Sequence, residues 1–291
     1  SVTTCFGSSG SSFSSSSSSS TSPSASASSS AWRPAAAPGT QRRYSNPSIG
    51  LLGHLAARAM NRPYADLIER EIAPRLGLRS TYIRVPPAEA ARYAWGTDRA
   101  GRPSRAGAAV FAEEAYGVKT TATDLMAFVE ANLRPERLDP TLRRAVETTQ
   151  TGYFRIGETV QGLGWEQYAY PTPLARLLAG NADTMAFDPH PAAALTPPAR
   201  PAGPTLFNKT GSTNGFAAYA VFVPAKGIGV VMLANRNIPI PARITAAHAV
   251  LDDNRSGIAR LIDRCEADEQ AMVAIFPGHA FGTGHAGGAH G

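Results

Sequence analysis

Two short stretches hold side chains whose types and spacing suit chemistry. In NKTGSTNGF, Asn208 to Phe216, an ammonium at Lys209 and a hydroxyl at Thr210 precede Gly211. The stretch closes a run of strand-forming residues, where a glycine lets a ligand approach the main chain and the two polar groups share one space. That arrangement suits a carboxylate. In YSNPSIGLLGH, Tyr44 to His54, a phenol, a hydroxyl and an amide stand directly before an apolar run of helical spacing. Each stretch alone has an ordinary structural explanation. Lys209 is equally a solvated lysine in a strand-end turn, and Asn46 is equally a helix N-cap satisfied by backbone N–H groups.

The elements that must position these groups are readable around them. Asn46 as N-cap and Pro47 as first helical residue open a helix whose Ile49, Leu52, Leu55 and Ala56 recur at helical spacing. PYADLIEREIAPRLGL, TTATDLMAFVEANL and the shorter PTLRRAVETTQ read as further helices, so the first half is mainly helical. Near Thr205 the period changes. TLFNKTGS, AAYAVFV and IGVVMLAN are strand-like, and PAKG between the last two predicts an antiparallel hairpin. ARITAAHAVL returns to helix. Helices followed by an antiparallel sheet and a closing helix predict an α/β chain with segregated layers, not alternating βαβ units.

Three segments follow from composition. Residues 1–31 are serine-rich and too poor in apolar side chains to offset the entropy of ordering, which predicts disorder, with a tether or glycosylated stalk as the functional alternative. Residues 32–252 hold the patterned domain. Residues 253–291 form an extra tail, with one short helix expected over DDNRSGIARLIDRCEADEQ before a Gly/Ala/His-rich end.

Several function classes drop out. The formal charge is +6, from 28 Lys plus Arg against 22 Asp plus Glu, but the arginines are scattered and form no basic stripe with stacking aromatics, which argues against nucleic acid. Mild basicity suits an anionic small molecule. Cys5 and Cys265 imply no disulfide framework. No apolar run approaches the length of a membrane span, and no signal-peptide pattern is visible. Gly282, Gly284 and Gly287 match G-x-G-x-x-G but follow no strand, and His279, His285 and His290 match no zinc spacing, so neither a cofactor nor a metal is expected. The G-x-S-x-G and H-E-x-x-H motifs do not occur.

Taken together and in order, PGTQRRYSNPSIGLLGHLA, LGLRSTYIRVP, AEEAYGVKTT, QGLGWEQYAYP, FNKTGSTNGFAAYAVFVPAKGIGVVMLANRN and ARITAAHA resemble the class C serine β-lactamases, cephalosporinases related to penicillin-binding proteins. The resemblance runs from about Trp32 to Leu251 and implies a β-lactamase/transpeptidase-like fold, an antiparallel sheet flanked by helices plus a helical lobe, incomplete at the N-terminus. It implies cleavage of the lactam amide of penicillins or cephalosporins through a serine acyl-enzyme, a β-lactam as small-molecule partner, and a periplasmic setting. It casts Tyr44 as the proton shuttle, a role in which a phenol needs neighbouring cations. Lys209 would favour the phenolate and attract the substrate acid, with Thr210 and Gly211 completing the motif. Ser212 resembles the residue whose backbone N–H forms half of an oxyanion hole. Asn46 resembles the amide that meets the substrate's side-chain amide, Asn237 and Arg243 match positions near the substrate carboxylate, and Tyr116 resembles the pocket-wall tyrosine, though it reads equally as a core aromatic. Asn214 stands where the family commonly has glycine.

One family motif is absent. Acylation in this family needs Ser-x-x-Lys, a serine with a lysine one helical turn later. Three residues before Lys119, Lys209 and Lys226 stand Tyr116, Leu206 and Val223, so the motif occurs nowhere in these 291 residues. The nearest imitation, Ser30 to Arg33, offers a guanidinium that stays protonated. The expectation is a chain inactive as it stands. The alternatives are a relic that binds β-lactams or peptidoglycan-like peptides, or a D-Ala-D-Ala peptidase or esterase relative. Without the nucleophile helix, the apolar faces of IGVVMLAN and LLGHLAARA are expected to lack partners, predicting a marginally stable monomer prone to aggregation.

Overall fold

A computed structural model describes Thr3–Thr4, residues 35–252 and Ala271–Phe276. The rest of the serine tract, the helix expected after residue 252 and the glycine-rich end lie outside the described residues.

The chain opens with β1 (Thr3–Thr4) and β2 (Gln41–Arg42), then α1 (Asn46–Ala59). The N-cap is Ser45, not Asn46. Ser45 is extended, with φ −153° and ψ 110°, and its Oγ accepts from the Ser48 N–H at 3.2 Å, so Asn46 becomes the first helical residue and Pro47 the second. PYADLIEREIAPR forms α2 in three joined pieces, Tyr64–Asp66, a π-helical turn Leu67–Ile72 and Ala73–Arg75. The short pair β3 (Gly96–Thr97) and β4 (Pro103–Ser104) precedes α3 (Ala112–Tyr116) and β5 (Lys119–Thr120), which pairs with β1. α4 (Ala122–Leu133) starts on a threonine, Thr121, whose Oγ1 accepts from the Asp124 N–H, and α5 (Pro140–Thr149) starts on Asp139 in the same way.

The centre is an eight-stranded sheet with every pair antiparallel, ordered β10-β6-β7-β8-β11-β12-β13-β14. Its strands are β6 (Gly152–Ile156), β7 (Thr159–Gln161), β8 (Glu166–Ala169), β10 (Ala193–Ala199), β11 (Thr205–Thr213), β12 (Phe216–Val223), β13 (Ile228–Ala234) and β14 (Ala271–Phe276). The PAKG hairpin forms as expected, with Gly227 in the left-handed region at φ 61°. The sequence pattern assigns no element to AMVAIF, which becomes β14 and pairs with β13 from Gly229 to Ala234. β9 (His190–Pro191) pairs with β2.

The sheet is covered on both faces. Alternate residues of β12 point opposite ways. Tyr219, Val221 and Val223 meet Ile244 and Val250 of α8 (Ile240–Asp252) and Leu177 of α6 (Leu174–Gly180). Ala218, Ala220 and Phe222 meet Leu125, Val129 and Leu133 of α4. Because both faces are buried, β12 reads as the unbroken apolar run FAAYAVFV. The expectation that IGVVMLAN lacks a partner is therefore corrected: α4 and α8 cover its two faces and β14 takes its edge. The leucines of α1 do remain open to solvent. Among the described residues no helix is long and apolar enough to cross a membrane, and no group of three His, Cys, Asp or Glu side chains is arranged to hold a metal ion.

Candidate active site

The main-chain register brings Lys209 to the site. β11 lies between β8 and β12, with Asn208 opposite Glu166 and Lys209 opposite Ala220, so the Lys209–Ser212 segment crosses the centre of the sheet near its end. Tyr44 arrives from the other direction, on the two residues that join β2 to the capped start of α1. Its backbone N–H donates to the Ala186 carbonyl in α7 (Asp183–Phe187) at 3.3 Å. The two side chains meet: Lys209 Nζ stands 5.4 Å from the centroid of the Tyr44 ring. Lys209 also donates to the Thr210 carbonyl at 2.9 Å.

Tyr44, Lys209, Thr210, Gly211 and Ser212 line one cleft together with residues that sequence reasoning missed, notably Arg42, Glu166, Asp183 and Ile240. Arg42 Nη2 pairs with Glu166 Oε1 at 3.1 Å, and Arg42 Nη1 donates to the Met185 carbonyl. This pair ties the strand leading to Tyr44 onto β8, beside Lys209. Arg42 stands only two residues before Tyr44, a proximity the sequence does show, but Glu166 reaches the site only through strand register. The cleft holds about 60 Å³, far below the ~300–1,000 Å³ of enclosed small-molecule sites.

The other expected residues lie apart from that cleft. Arg243 is 2% exposed and buried beneath the strands. Its Nη1 donates to the carbonyls of Gly211, at 2.7 Å, and Ala218, and its Nη2 donates to Ser212 Oγ at 2.9 Å. The donor fork expected to face a substrate carboxylate is thus spent on the walls of the Lys209 strand. Burial pulls this guanidinium down to about 10, with Tyr219 acting in the opposite sense, and it stays charged at neutral pH. Asn237 is exposed in the loop before α8. Asn46 is half-buried at the first turn of α1, and its Oδ1 is buried without a hydrogen-bond partner.

Tyr116 lines a second cleft, of about 440 Å³, shared with Phe111, Glu113, Glu114 and Lys119. There Lys119 Nζ donates to the Ile83 carbonyl at 2.9 Å, and burial pushes its pKa down, with Glu113 and Glu69 opposing. Asn214 is exposed, and its carbonyl accepts from Ser104 Oγ at 2.9 Å. The positive φ of this turn, 100°, falls on Gly215, so the asparagine carries no left-handed strain.

The β-lactamase family model matches residues 12–255. A β-lactamase of Pseudomonas fluorescens is 50% identical over 220 residues, 76% of this chain and 62% of that protein. Among solved structures, a D-alanine carboxypeptidase AmpC from Burkholderia cenocepacia superimposes with a TM-score of 0.74 at 53% identity, covering 76% of this chain and 64% of the other. A class C β-lactamase in complex with cefoxitin gives 0.73 at 44% identity, covering 76% and 62%. The chain spans about three-fifths of the length of these relatives. The fold is that of the class C β-lactamases and their transpeptidase relatives, and the chain belongs to the β-lactamase family.

Proposed function

We propose that this chain carries the carboxylate-binding and proton-relay half of a serine β-lactam hydrolase site, and that these 291 residues alone bind penicillins or cephalosporins reversibly without opening the lactam. The observation that carries the reading is the Lys209 ammonium 5.4 Å from the Tyr44 ring, in one cleft with Thr210, Gly211 and Ser212. Lys209 and Thr210 receive the acid group, Tyr44 relays a proton, and the Ser212 N–H serves an oxyanion. Hydroxyls attack only when activated, and no serine here has a lysine one helical turn away. Asn46, Tyr116, Asn237 and Arg243 enter as contacts or supports around that pair. A periplasmic setting and a monomeric state belong to the same reading.

Incubation with nitrocefin should give no acyl-enzyme mass and no hydrolysis above background, while calorimetric titration with a cephalosporin should show saturable binding. Lys209→Ala should weaken that binding by about tenfold or more, the worth of one charge-assisted hydrogen bond, and Tyr44→Phe should leave it within about twofold. Turnover by the chain alone would overturn the reading. The 53% identity to a D-alanine carboxypeptidase favours a second reading, recognition of D-Ala-D-Ala peptides. Competition between such a peptide and the cephalosporin separates the two.

A further inference from the structure

The 291 residues hold three lysines in three different surroundings. Lys226 is exposed at the β12–β13 hairpin, with Nζ 4.9 Å from the centre of the Tyr170 ring, and Lys209 belongs to the site already described. Lys119, to which the family resemblance assigns no role, lines the cleft of about 440 Å³ beside Phe111 and Tyr116, a volume in the range of small-molecule sites. Its main chain is fixed: β5 pairs with β1, and Lys119 exchanges backbone hydrogen bonds with Tyr82 at 2.7 and 2.8 Å. Among the described residues its Nζ has one hydrogen-bond acceptor, the Ile83 carbonyl at 2.9 Å, and the carboxylates around it are held elsewhere. Glu113 accepts from Arg84 with both oxygens, at 2.9 and 3.1 Å. Glu69 Oε1 accepts from the backbone N–H groups of Ile83 and Arg84 at 2.8 and 2.7 Å. Glu114 Oε1 faces His54 Nδ1 at 3.9 Å. A half-buried ammonium with no carboxylate bonded to it gives up its proton more readily than one in water, the direction in which burial moves Lys119. An uncharged lysine amine is a nucleophile towards carbonyl carbon.

We propose that Lys119 captures a small, uncharged aromatic aldehyde in this cleft as an imine. The Nζ lone pair forms the bond to the carbonyl carbon, both amine protons pass to the carbonyl oxygen, and that oxygen leaves as water, so no oxidant or reductant is consumed. Phe111 and Tyr116 supply aromatic walls for a ring, and Glu113 and Glu114 in the same lining disfavour an anion. The cleft shares no residue with that of Tyr44 and Lys209, so the proposal stands independently of the role given to that pair.

The full chain is incubated at neutral pH with benzaldehyde and cyanoborohydride, which reduces an imine to a stable secondary amine, and the labelled lysine is located by peptide mass mapping. With three lysines in the sequence the assignment is direct. Lys119 should take up the benzyl group faster than Lys209 and Lys226 by about threefold or more. In urea, where the cleft is lost, the three should react alike. Benzyl alcohol, of similar shape but without a carbonyl, should slow the labelling of Lys119 and leave that of Lys226 unchanged. Formylbenzoate, which adds a carboxylate to the same ring, should label Lys119 more slowly than benzaldehyde does. Equal labelling of the three lysines in the folded chain, or Lys226 ahead of Lys119, overturns the proposal. A preference for Lys119 that survives in urea also overturns it, because the reactivity then belongs to the local sequence. Labelling that benzyl alcohol leaves untouched means that the cleft holds no ring, and faster reaction with formylbenzoate means that the ligand is an anion; either result sinks the assignment.

Discussion

At the scale of single residues, Arg243 holds the Lys209 strand from below by donating to Gly211, Ala218 and Ser212. Replacing it by methionine fills much of the volume but removes the donors that reach the Gly211 and Ala218 carbonyls and Ser212 Oγ. Loss of these charge-assisted hydrogen bonds, offset in part by relief of the arginine's desolvation, should make Arg243→Met lower the unfolding free energy by about 2–4 kcal/mol, read from urea denaturation. Arg243→Lys should recover only part, since one ammonium cannot reproduce the planar fork. The family resemblance implies a place for this guanidinium near a ligand acid, and the reason for the difference is chemical: a fork of donors fits a pair of carbonyls as well as a carboxylate. Nothing in PIPAR states on which side of the strand the arginine lies. Tyr44 and Lys209 were legible because each sits beside an unmistakable element boundary, a capped helix start and a strand end.

Elements differ in how plainly they announce themselves. β11, β12 and β13 are long, rich in β-branched and aromatic residues and joined by tight turns, and α4 and α8 have clear helical spacing. β6, β7 and β8 have three to five residues each, too few for a period to emerge, and β10 contains Pro197 and Pro198, which a sheet tolerates at its edge. Long-range pairing, not local propensity, makes these segments strands. The contact of α1 with α3 is likewise invisible in sequence. A Cβ on Gly50 would stand 2.3 Å from the Phe111 Cβ, an atom that moves only with the main chain. Gly50→Ala improves helix propensity yet should destabilise the protein by about 1–3 kcal/mol through overpacking. Chemical denaturation that finds it stabilising would mean that α1 does not lie against α3.

For the molecule as a whole, burial of phenols sets an alkaline limit. Tyr219 is held well above its ordinary 10.0 by burial, reinforced by Tyr168 and Glu166. Tyr168 is also raised, mainly by burial and then by Glu166. A folded pKa above the unfolded one contributes stability that is complete below the unfolded value and is lost as pH rises through the folded one. Stability should therefore hold up to about pH 10 and fall above it. Absorbance at 295 nm should show Tyr168 and Tyr219 ionising only as the protein unfolds. The register of the sheet settles one more property. Ser212, Ala217, Ala234 and Ala271 mark one end of β11 to β14, while Phe207, Phe222, Gly229 and Phe276 mark the other. A cargo or solid support joined to the chain after Phe276 would hang from the rim remote from Ser212, leaving the Tyr44 cleft facing free solution.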